Sequence, residues 1–184
     1  MIVVRIDNVA GDVEVPGYNN KKWFVADSIS FGVGKSVQAS DSKQDIEIGK
    51  QDEQELSIGK TVDAATVYLM HRAMKGRTGS TDSGFFTVDI HLLQNRYDSS
   101  KSDGKSPMKP YLKIRIENAM IKQWDIDASG DDRPTESVRI WFNRAAMKYR
   151  TSADGKEFVT HGPLGWDEQA NKDWKPDDLV KSDD

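Results

Sequence analysis

The sequence predicts a mainly β protein, either a barrel or a sandwich, with one α-helix lying against it. Apolar residues recur at every second position over most of the chain, which is the period of a half-buried strand. A single segment, 62–75, instead spaces them three and four apart, which is the period of a helix. The chain has 184 residues and no cysteine. We therefore expect one domain whose core forms without disulfide bonds.

Four segments carry the clearest strand pattern: 23–33, 86–92, 112–117 and 137–143. In the first, we expect Ser28 and Ser30 on the polar face, while the apolar face comprises Trp23, Val25, Ile29, Phe31 and Val33. Shorter candidates are 1–6, 56–59, 121–126 and 147–149. Strands with one apolar and one polar face are typical of antiparallel sheets that bury one side.

The helix prediction covers Val62 to Lys75. Its expected buried face comprises Val62, Ala65, Leu69, Met70 and Ala73. A side-chain oxygen of Thr61 or Asp63 can cap its first turn, and Gly76 follows where a left-handed residue commonly ends a helix. We expect this helix to lie against one side of the sheets.

The expected domain organisation is a β domain over 1–163 followed by an acidic tail over 164–184. Within the domain, 35–53 is predicted to be an extended loop and 95–109 a mobile one, because both are polar. The tail carries the whole formal net charge of -4. The rest of the chain is neutral overall, which disfavours a nucleic-acid partner.

Neither a membrane span nor a cleaved signal peptide is predicted. No segment approaches the roughly 20 apolar residues that a spanning helix needs, and 1–7 is too short and too soon charged for a signal. We expect a protein made in the cytoplasm that makes no membrane contact.

Two tryptophans in the tail, Trp166 and Trp174, are unusual for a disordered segment. We expect them to dock on this subunit or on a neighbouring one. The alternating strands also need their edges hidden, and pairing with other copies of the chain is one way to hide them.

No catalytic, metal or cofactor site is predicted, and we expect the protein not to be an enzyme. The histidines His71, His91 and His161 lie in three separate segments, and no two of them have the i, i+4 spacing that places two metal ligands on one helical face, so we expect solvated or hydrogen-bonded surface histidines. The segment 130–136 has acidic residues, but not at the alternate positions of a calcium loop. We interpret it as a rigid corner between two strands, formed by Gly130, Asp132, Arg133, Thr135 and Glu136.

Several segments together resemble the haemolysin-coregulated protein (Hcp) family, which forms the tube of the bacterial type VI secretion system. The most specific is Gly130 to Val138, GDDRPTESV, followed by an alternating strand. Leu56 to Asp63, LSIGKTVD, leads into the helix that ends at Lys75 and Gly76. Ile29 to Gly32, Tyr111 to Ile114 and the Gly165-Trp166 pair match further parts in the same order.

The resemblance implies a closed antiparallel β-barrel with one flanking helix, assembled as a hexameric ring. Rings stack into a tube, which is exported to the extracellular space or a target cell without a signal peptide. The implied partners are other copies of the chain, the spike, sheath and baseplate proteins, and effector proteins held in the channel.

The resemblance also implies roles for particular residues. Ser28 and Ser30 are expected to face the channel. The loop 35–53 is expected to contact the next ring in the stack, with Lys35, Ser36, Gln44, Asp45, Glu47 and Lys50 as its polar contacts.

Two alternatives remain. A phage-type tail tube protein has the same architecture and a similar polar channel. A sugar-binding β-sandwich, or an enzyme on that fold, needs polar groups that converge on a pocket, and the residue spacing does not reveal such a group.

Overall fold

The computed structural model describes residues 1–20, 22–34, 37–39, 46–48, 53–75, 84–94, 108–151 and 159–181. They form twelve strands and two helices, in the order β1 Ile2–Ile6, β2 Phe24–Ala26, β3 Ser28–Gly34, β4 Val37–Ala39, β5 Ile46–Ile48, β6 Glu53–Thr61, α1 Thr66–Lys75, β7 Phe86–Gln94, β8 Lys109–Asp127, β9 Thr135–Trp141, β10 Arg144–Thr151, β11 Val159–Asp167, β12 Lys172–Asp173 and α2 Asp177–Lys181. Neither helix combines the length and the apolar character needed to cross a bilayer.

Two antiparallel ladders share the long strand β8. The first runs β12-β11-β10-β8-β7-β1-β2, and the second runs β3-β6-β9-β8. β9 and β10 follow each other along the same side of β8, so that Met120 lies opposite Trp141 and Glu117 lies opposite Arg144. The mainly β prediction is confirmed.

The barrel is not closed by hydrogen-bonded ladders, contrary to the expectation of a fully closed sheet. Within the described residues, β2 pairs with β1 while β3 pairs with β6. Asp27 connects the two ladders through the chain itself, at a bend between β2 and β3. The backbone N–H of Asp27 donates to the Gly59 carbonyl at 2.9 Å, which holds the bend against β6.

The same bend corrects the predicted faces of 23–33. Phe24 and Ala26 enter the main core, whereas Val25 is exposed on the other face. After Asp27 the alternation is reversed: Ile29 and Phe31 pack against the core, and Ser28 and Ser30 are exposed. A single strand with strict period two cannot make this change, so the prediction that Val25 shares a face with Ile29 is wrong.

A second bend lies within β8, where the sequence predicted two separate strands. Asn118 has a φ of 53°, a left-handed conformation that asparagine adopts more readily than most residues. Before it β8 pairs with β7 and β10, and after Ala119 it pairs with β9. Asn118 thus lets one continuous strand serve both ladders.

Helix α1 begins four residues later than predicted. The Asp63 carboxylate accepts a hydrogen bond from the Ala65 N–H at 2.8 Å, and the Thr66 hydroxyl accepts one from the Asp63 N–H at 3.1 Å. This reciprocal pair resembles a capping box, so Asp63 caps the helix as one of the two expected candidates. Leu69 is fully buried, whereas Met70, expected on the buried face, is 38% exposed.

The chain after 163 is more structured than an acidic tail. β11 runs across the 163/164 boundary and pairs with β10, and Gly165 and Trp166 lie within it. β12 and the short helix α2 follow, so the described chain has two helices rather than the one predicted. The sequence pattern missed β11 because Gly162, Pro163 and Gly165 interrupt its alternation.

The polar loop segments are only partly described. In the predicted loop 35–53, Val37–Ala39 and Ile46–Ile48 pair as an antiparallel hairpin. Most of the predicted mobile loop, 95–107, lies outside the described residues. Met108 packs on an apolar cluster, and Lys109 begins β8.

Candidate assembly surfaces

One ladder face, which we call the open face, consists of the side chains of β3, β6, β9 and the second half of β8 that point away from the core. Its cross-strand rows follow from the register: Ser28, Gly59, Ser137 and Asp125; Ser30, Ser57, Arg139 and Gln123; Gly32, Glu55, Trp141 and Met120. The rows consist largely of serine, glycine and polar side chains. No described segment of the chain packs over the serines and glycines of β3.

Two small residues of the open face, Ser28 and Gly59, lie directly opposite each other on β3 and β6. A Cβ at Gly59 would come within 2.6 Å of the Ser28 hydroxyl oxygen, whereas one at Gly32 would meet nothing within 4 Å. Small side chains at these positions keep the backbone near the surface, where its polar groups and the serine hydroxyls can bind water or another chain.

The charges of the open face are paired along its edge. The Lys122 ammonium donates to Glu55 at 3.0 Å, and the Ser57 hydroxyl donates to the same carboxylate at 3.5 Å. The hydrogen bond from Lys122 holds the pKa of Glu55 below its ordinary value. Gln123 donates to Asp125 at 2.8 Å. The surface is polar but carries no large charge of one sign.

Behind the open face lies a buried ion pair between Lys60 and Glu136. The Lys60 ammonium lies 2.7 Å from Glu136 Oε1 and 2.7 Å from Asp63 Oδ1, and both partners of the first pair are fully buried at their side chains. The Thr66 hydroxyl donates to Glu136 Oε1 at 2.7 Å, and the Trp124 indole donates to Oε2 at 2.6 Å. This network ties β6, β8, β9 and α1 together.

The corner predicted at 130–136 connects β8 to β9. Gly130 and Asp132 are exposed and lie in a bend, and Thr135 opens β9 opposite Thr61. Arg133 donates to the Val62 carbonyl at 3.5 Å. Glu136 is the member of this set with a buried role, through the Lys60 pair. The sequence identified the segment but did not reveal that pair.

The opposite outer face, on β1, β7, β8 and β10, is covered by the chain itself, and we call it the covered face. A ladder of charges crosses it: Asp89 bridges Arg5 at 2.5 Å and Arg115 at 3.2 Å, and Arg115 also bridges Glu117 at 2.9 Å. Glu117 and Asp167 both contact Arg144, at 3.5 and 3.2 Å. Asp89 therefore lies between cations of the two neighbouring strands, and Glu117 lies between Arg115 of its own strand and Arg144 of β10.

The N-terminal segment covers one end of this face through an apolar cluster of Val3, Val13, Tyr18, Trp23 and Leu93. The Tyr18 hydroxyl and His91 Nδ1 lie 2.9 Å apart. Burial raises the pKa of Tyr18 to about 12. Burial, together with the charges of Lys113 and Arg5, lowers the pKa of His91 to about 3. His91 is thus a neutral, half-buried histidine rather than a solvated one.

The C-terminal segment covers the other end of the covered face. Leu179 is 3% exposed, and its carbonyl accepts a hydrogen bond from the buried Lys148 ammonium at 3.0 Å. Asp178 bridges Arg115 at 2.8 Å. The backbone N–H of Trp174 donates to the Gly165 carbonyl at 2.9 Å, and the Arg144 guanidinium lies 5.2 Å from the centroid of the Trp174 ring. Trp174 therefore contacts its own subunit.

An apolar groove of about 460 Å³ opens where β3 and β6 approach β10 and β11. Phe31 and Phe142, stacked with centroids 5.4 Å apart, lie in it. Its rim is formed by the exposed side chains of Val33, Met147, Leu164 and Trp166. Among these rim residues, the sequence predicted a docking role only for Trp166 and placed Val33 on the apolar face of 23–33. The sequence carried no clear signal for the others, because 147–166 is no richer in apolar residues than the rest of the chain and Gly162, Pro163 and Gly165 interrupt its alternation.

The expected ring-stacking residues are mostly outside the described part of the chain: Lys35, Ser36, Gln44, Asp45 and Lys50. Glu47 lies in β5, opposite Gln38. Their role stays a prediction. Within the described residues, no three His, Asp or Glu side chains are grouped to hold a metal ion.

Comparison with known proteins places this geometry in a family. The family described as type VI secretion system effector, Hcp, matches residues 3–149. Among curated proteins, no sequence match is found.

Solved structures share the fold at low identity. A type six secretion system protein aligns with a TM-score of 0.74 at 20% identity, covering 94% of this chain and 98% of that one. Hcp1 from Salmonella typhimurium aligns with a TM-score of 0.64 at 18% identity, covering 94% and 97%. The sheath-tube complex of an extracellular contractile injection system aligns with a TM-score of 0.52 at 12% identity, covering 80% and 88%. With its two ladders and the matched residues 3–149, this chain belongs to the Hcp family of the type VI secretion system.

Proposed function

We propose that six copies of this type VI secretion system tube protein close into a ring whose channel is lined by the open face. The observation that carries the proposal is a four-stranded ladder with a polar outer face and two unpaired edges. β3 pairs only with β6, and β8 beyond Ala119 pairs only with β9, among the described strands. Placed side by side, successive copies bring these two edges together.

The strand count supports an open channel. Six copies of a four-stranded ladder place about 24 strands around the hole, and barrels of 16–18 strands already enclose an aqueous channel. Ser28, Ser30 and Ser57 would line this channel with hydroxyl groups, which suits passage because they bind water without filling space. Rings then stack through their remaining faces, with 35–53 as the expected contact.

Membership of the family supports export of the assembled tube and its assembly with sheath, spike and baseplate proteins. The extracellular contractile injection system structure that shares this fold is a sheath-tube complex. A phage-type tail tube remains the second candidate, since it shares the fold. The match of residues 3–149 to the Hcp family favours type VI secretion. The channel would also carry small effector proteins.

The test uses the full chain and its lack of cysteine. Ser30→Cys, labelled with a thiol-reactive gold cluster, should give annular particles with label in the central hole. Lys175→Cys, exposed on the segment that packs on the covered face, should carry label outside it. Label on the outer rim for Ser30→Cys would contradict the channel assignment, and lone globules at high protein concentration and low salt would contradict the ring.

Effector carriage in the channel is tested by introducing a positive charge at Ser30. Ser30→Arg should leave the ring intact, because the side chain is exposed and outside the core. It should lower the amount of effector that co-purifies with the tube protein from secreting cells. Unchanged co-purification would argue against carriage on this face.

A further inference from the structure

Two exposed apolar surfaces of this chain have no partner among the described residues of the same chain. One is the groove at β3, β10 and β11. The other is a stripe on α1 formed by Val67, Met70 and Met74, which are 61%, 38% and 79% exposed. Large exposed apolar groups that lie together mark interaction surfaces.

The stripe follows the helix spacing. Val67, Met70 and Met74 are three and four residues apart, so they lie along one flank of α1. Leu69 and Thr66 occupy the buried face beside it. Anchors at this spacing are those with which a helix binds a hydrophobic groove.

The groove has the complementary shape. Its floor contains Phe31 and Phe142, and its rim residues Val33 and Leu164 are 57% and 71% exposed. A concave apolar surface of this kind fits a row of unbranched or small apolar side chains, and two of the three stripe residues are methionines, whose flexible chains fill irregular gaps.

The two surfaces lie on opposite sides of the four-stranded ladder. Helix α1 packs on β8, and its Thr66 reaches Glu136 beside Trp124. The groove begins at β3. The order β3-β6-β9-β8 separates these strands by three spacings, or about 14 Å. A head-to-tail contact that repeats around a ring requires two different surfaces of one chain, placed on opposite sides.

We propose that the α1 stripe of one copy docks in the groove of the next copy and forms the apolar part of the ring interface. This inference rests on the proposed ring, and it adds which surfaces meet. The occupant is a second copy of the chain because the same chain carries both complementary surfaces, and because the lateral placement that joins β3 to β8 of the next copy brings that copy's α1 to the groove.

The contact is tested by a disulfide between copies in this cysteine-free chain. Met74→Cys with Leu164→Cys, oxidised with diamide, should give a ladder of covalent multimers up to six chains. Both positions are more than 70% exposed, so the variant should fold. The matched control is Tyr68→Cys with Leu164→Cys, since Tyr68 lies on the other flank of α1. Crosslinking should exceed the control by about tenfold, because a disulfide forms only between closely placed Cα atoms.

The outcomes separate this contact from the ring itself. If microscopy shows rings but no crosslinked multimers form, or if the two cysteine pairs crosslink equally, the α1-groove contact is overturned and the ring is retained. If neither rings nor crosslinked multimers form, both the contact and the ring are overturned. As a second measurement, Met74→Glu should shift the protein from ring to monomer in light scattering while Tyr68→Glu does not. An unshifted Met74→Glu also overturns the contact.

Discussion

The two outer faces of this β domain differ in composition and in what covers them. The covered face is charged and apolar, and the chain's own ends pack over it through Tyr18 and Leu179. The open face is built of serines, glycines and paired charges, and no described segment of the chain covers Ser28, Ser30 and Gly32 on β3. A face that stays inside one subunit can hold ion pairs at low solvent exposure, whereas a face that meets water or cargo must be polar and shallow.

The largest expected loss of unfolding free energy comes from the buried Lys60–Glu136 pair behind the open face. Glu136→Gln removes one of the two carboxylates around the buried Lys60 ammonium, while Asp63 remains at 2.7 Å. We expect a loss of about 3 kcal/mol in the free energy of unfolding, at the low end for a broken buried pair, measured by urea denaturation. Asp125→Asn on the open face should change it by less than about 0.5 kcal/mol. Equal losses would mean that the two sides of this ladder do not differ.

An intermediate loss of unfolding free energy is expected from a leucine truncation on the covered face, compared with the same truncation at the groove. Leu179→Ala should cost about 2 kcal/mol, because its side chain is 3% exposed, with the cost limited by how easily the C-terminal segment detaches. Leu164→Ala, the same change at a 71% exposed position, should change monomer stability by less than about 0.5 kcal/mol. Thermal unfolding of both variants as monomers measures this. A Leu179→Ala protein as stable as Leu164→Ala would show that the C-terminal cover contributes nothing.

The smallest effect, taken per pH unit, is a pH dependence of the unfolding free energy that comes from the covered face. The pKa of His91 is about 3 in the folded chain, against an ordinary value of 6.5. Between these values the unfolded chain binds a proton that the folded chain does not, so stability falls as pH falls, by at most about 1.4 kcal/mol per pH unit. His91→Gln should flatten the slope of unfolding free energy between pH 6 and 4. His161→Gln, at an exposed position, should keep it, and an unchanged slope in His91→Gln would contradict the burial of a neutral imidazole.

The family and the mainly β class follow from sequence because both depend on local patterns. GDDRPTESV at the corner and the alternation in β3, β7, β8 and β9 are carried by neighbouring residues. Ser28 and Ser30 were assigned to the exposed side of their strand on the same basis, and they are exposed there. Their place in a channel stays a prediction, since it depends on other copies.

Sequence by itself determined the period of the longer alternating strands, the helix with Asp63 as one of two cap candidates, and the polar character of one ladder face. Only the tertiary structure decided the reversal of faces at Asp27, the left-handed turn of β8 at Asn118, the Lys60–Glu136 pair and the groove beside Phe31. Spacing along the chain reports which side a residue points to within one element. It does not report where a strand bends into another ladder, or which residues 76 positions apart, as Lys60 and Glu136 are, share one buried charge pair.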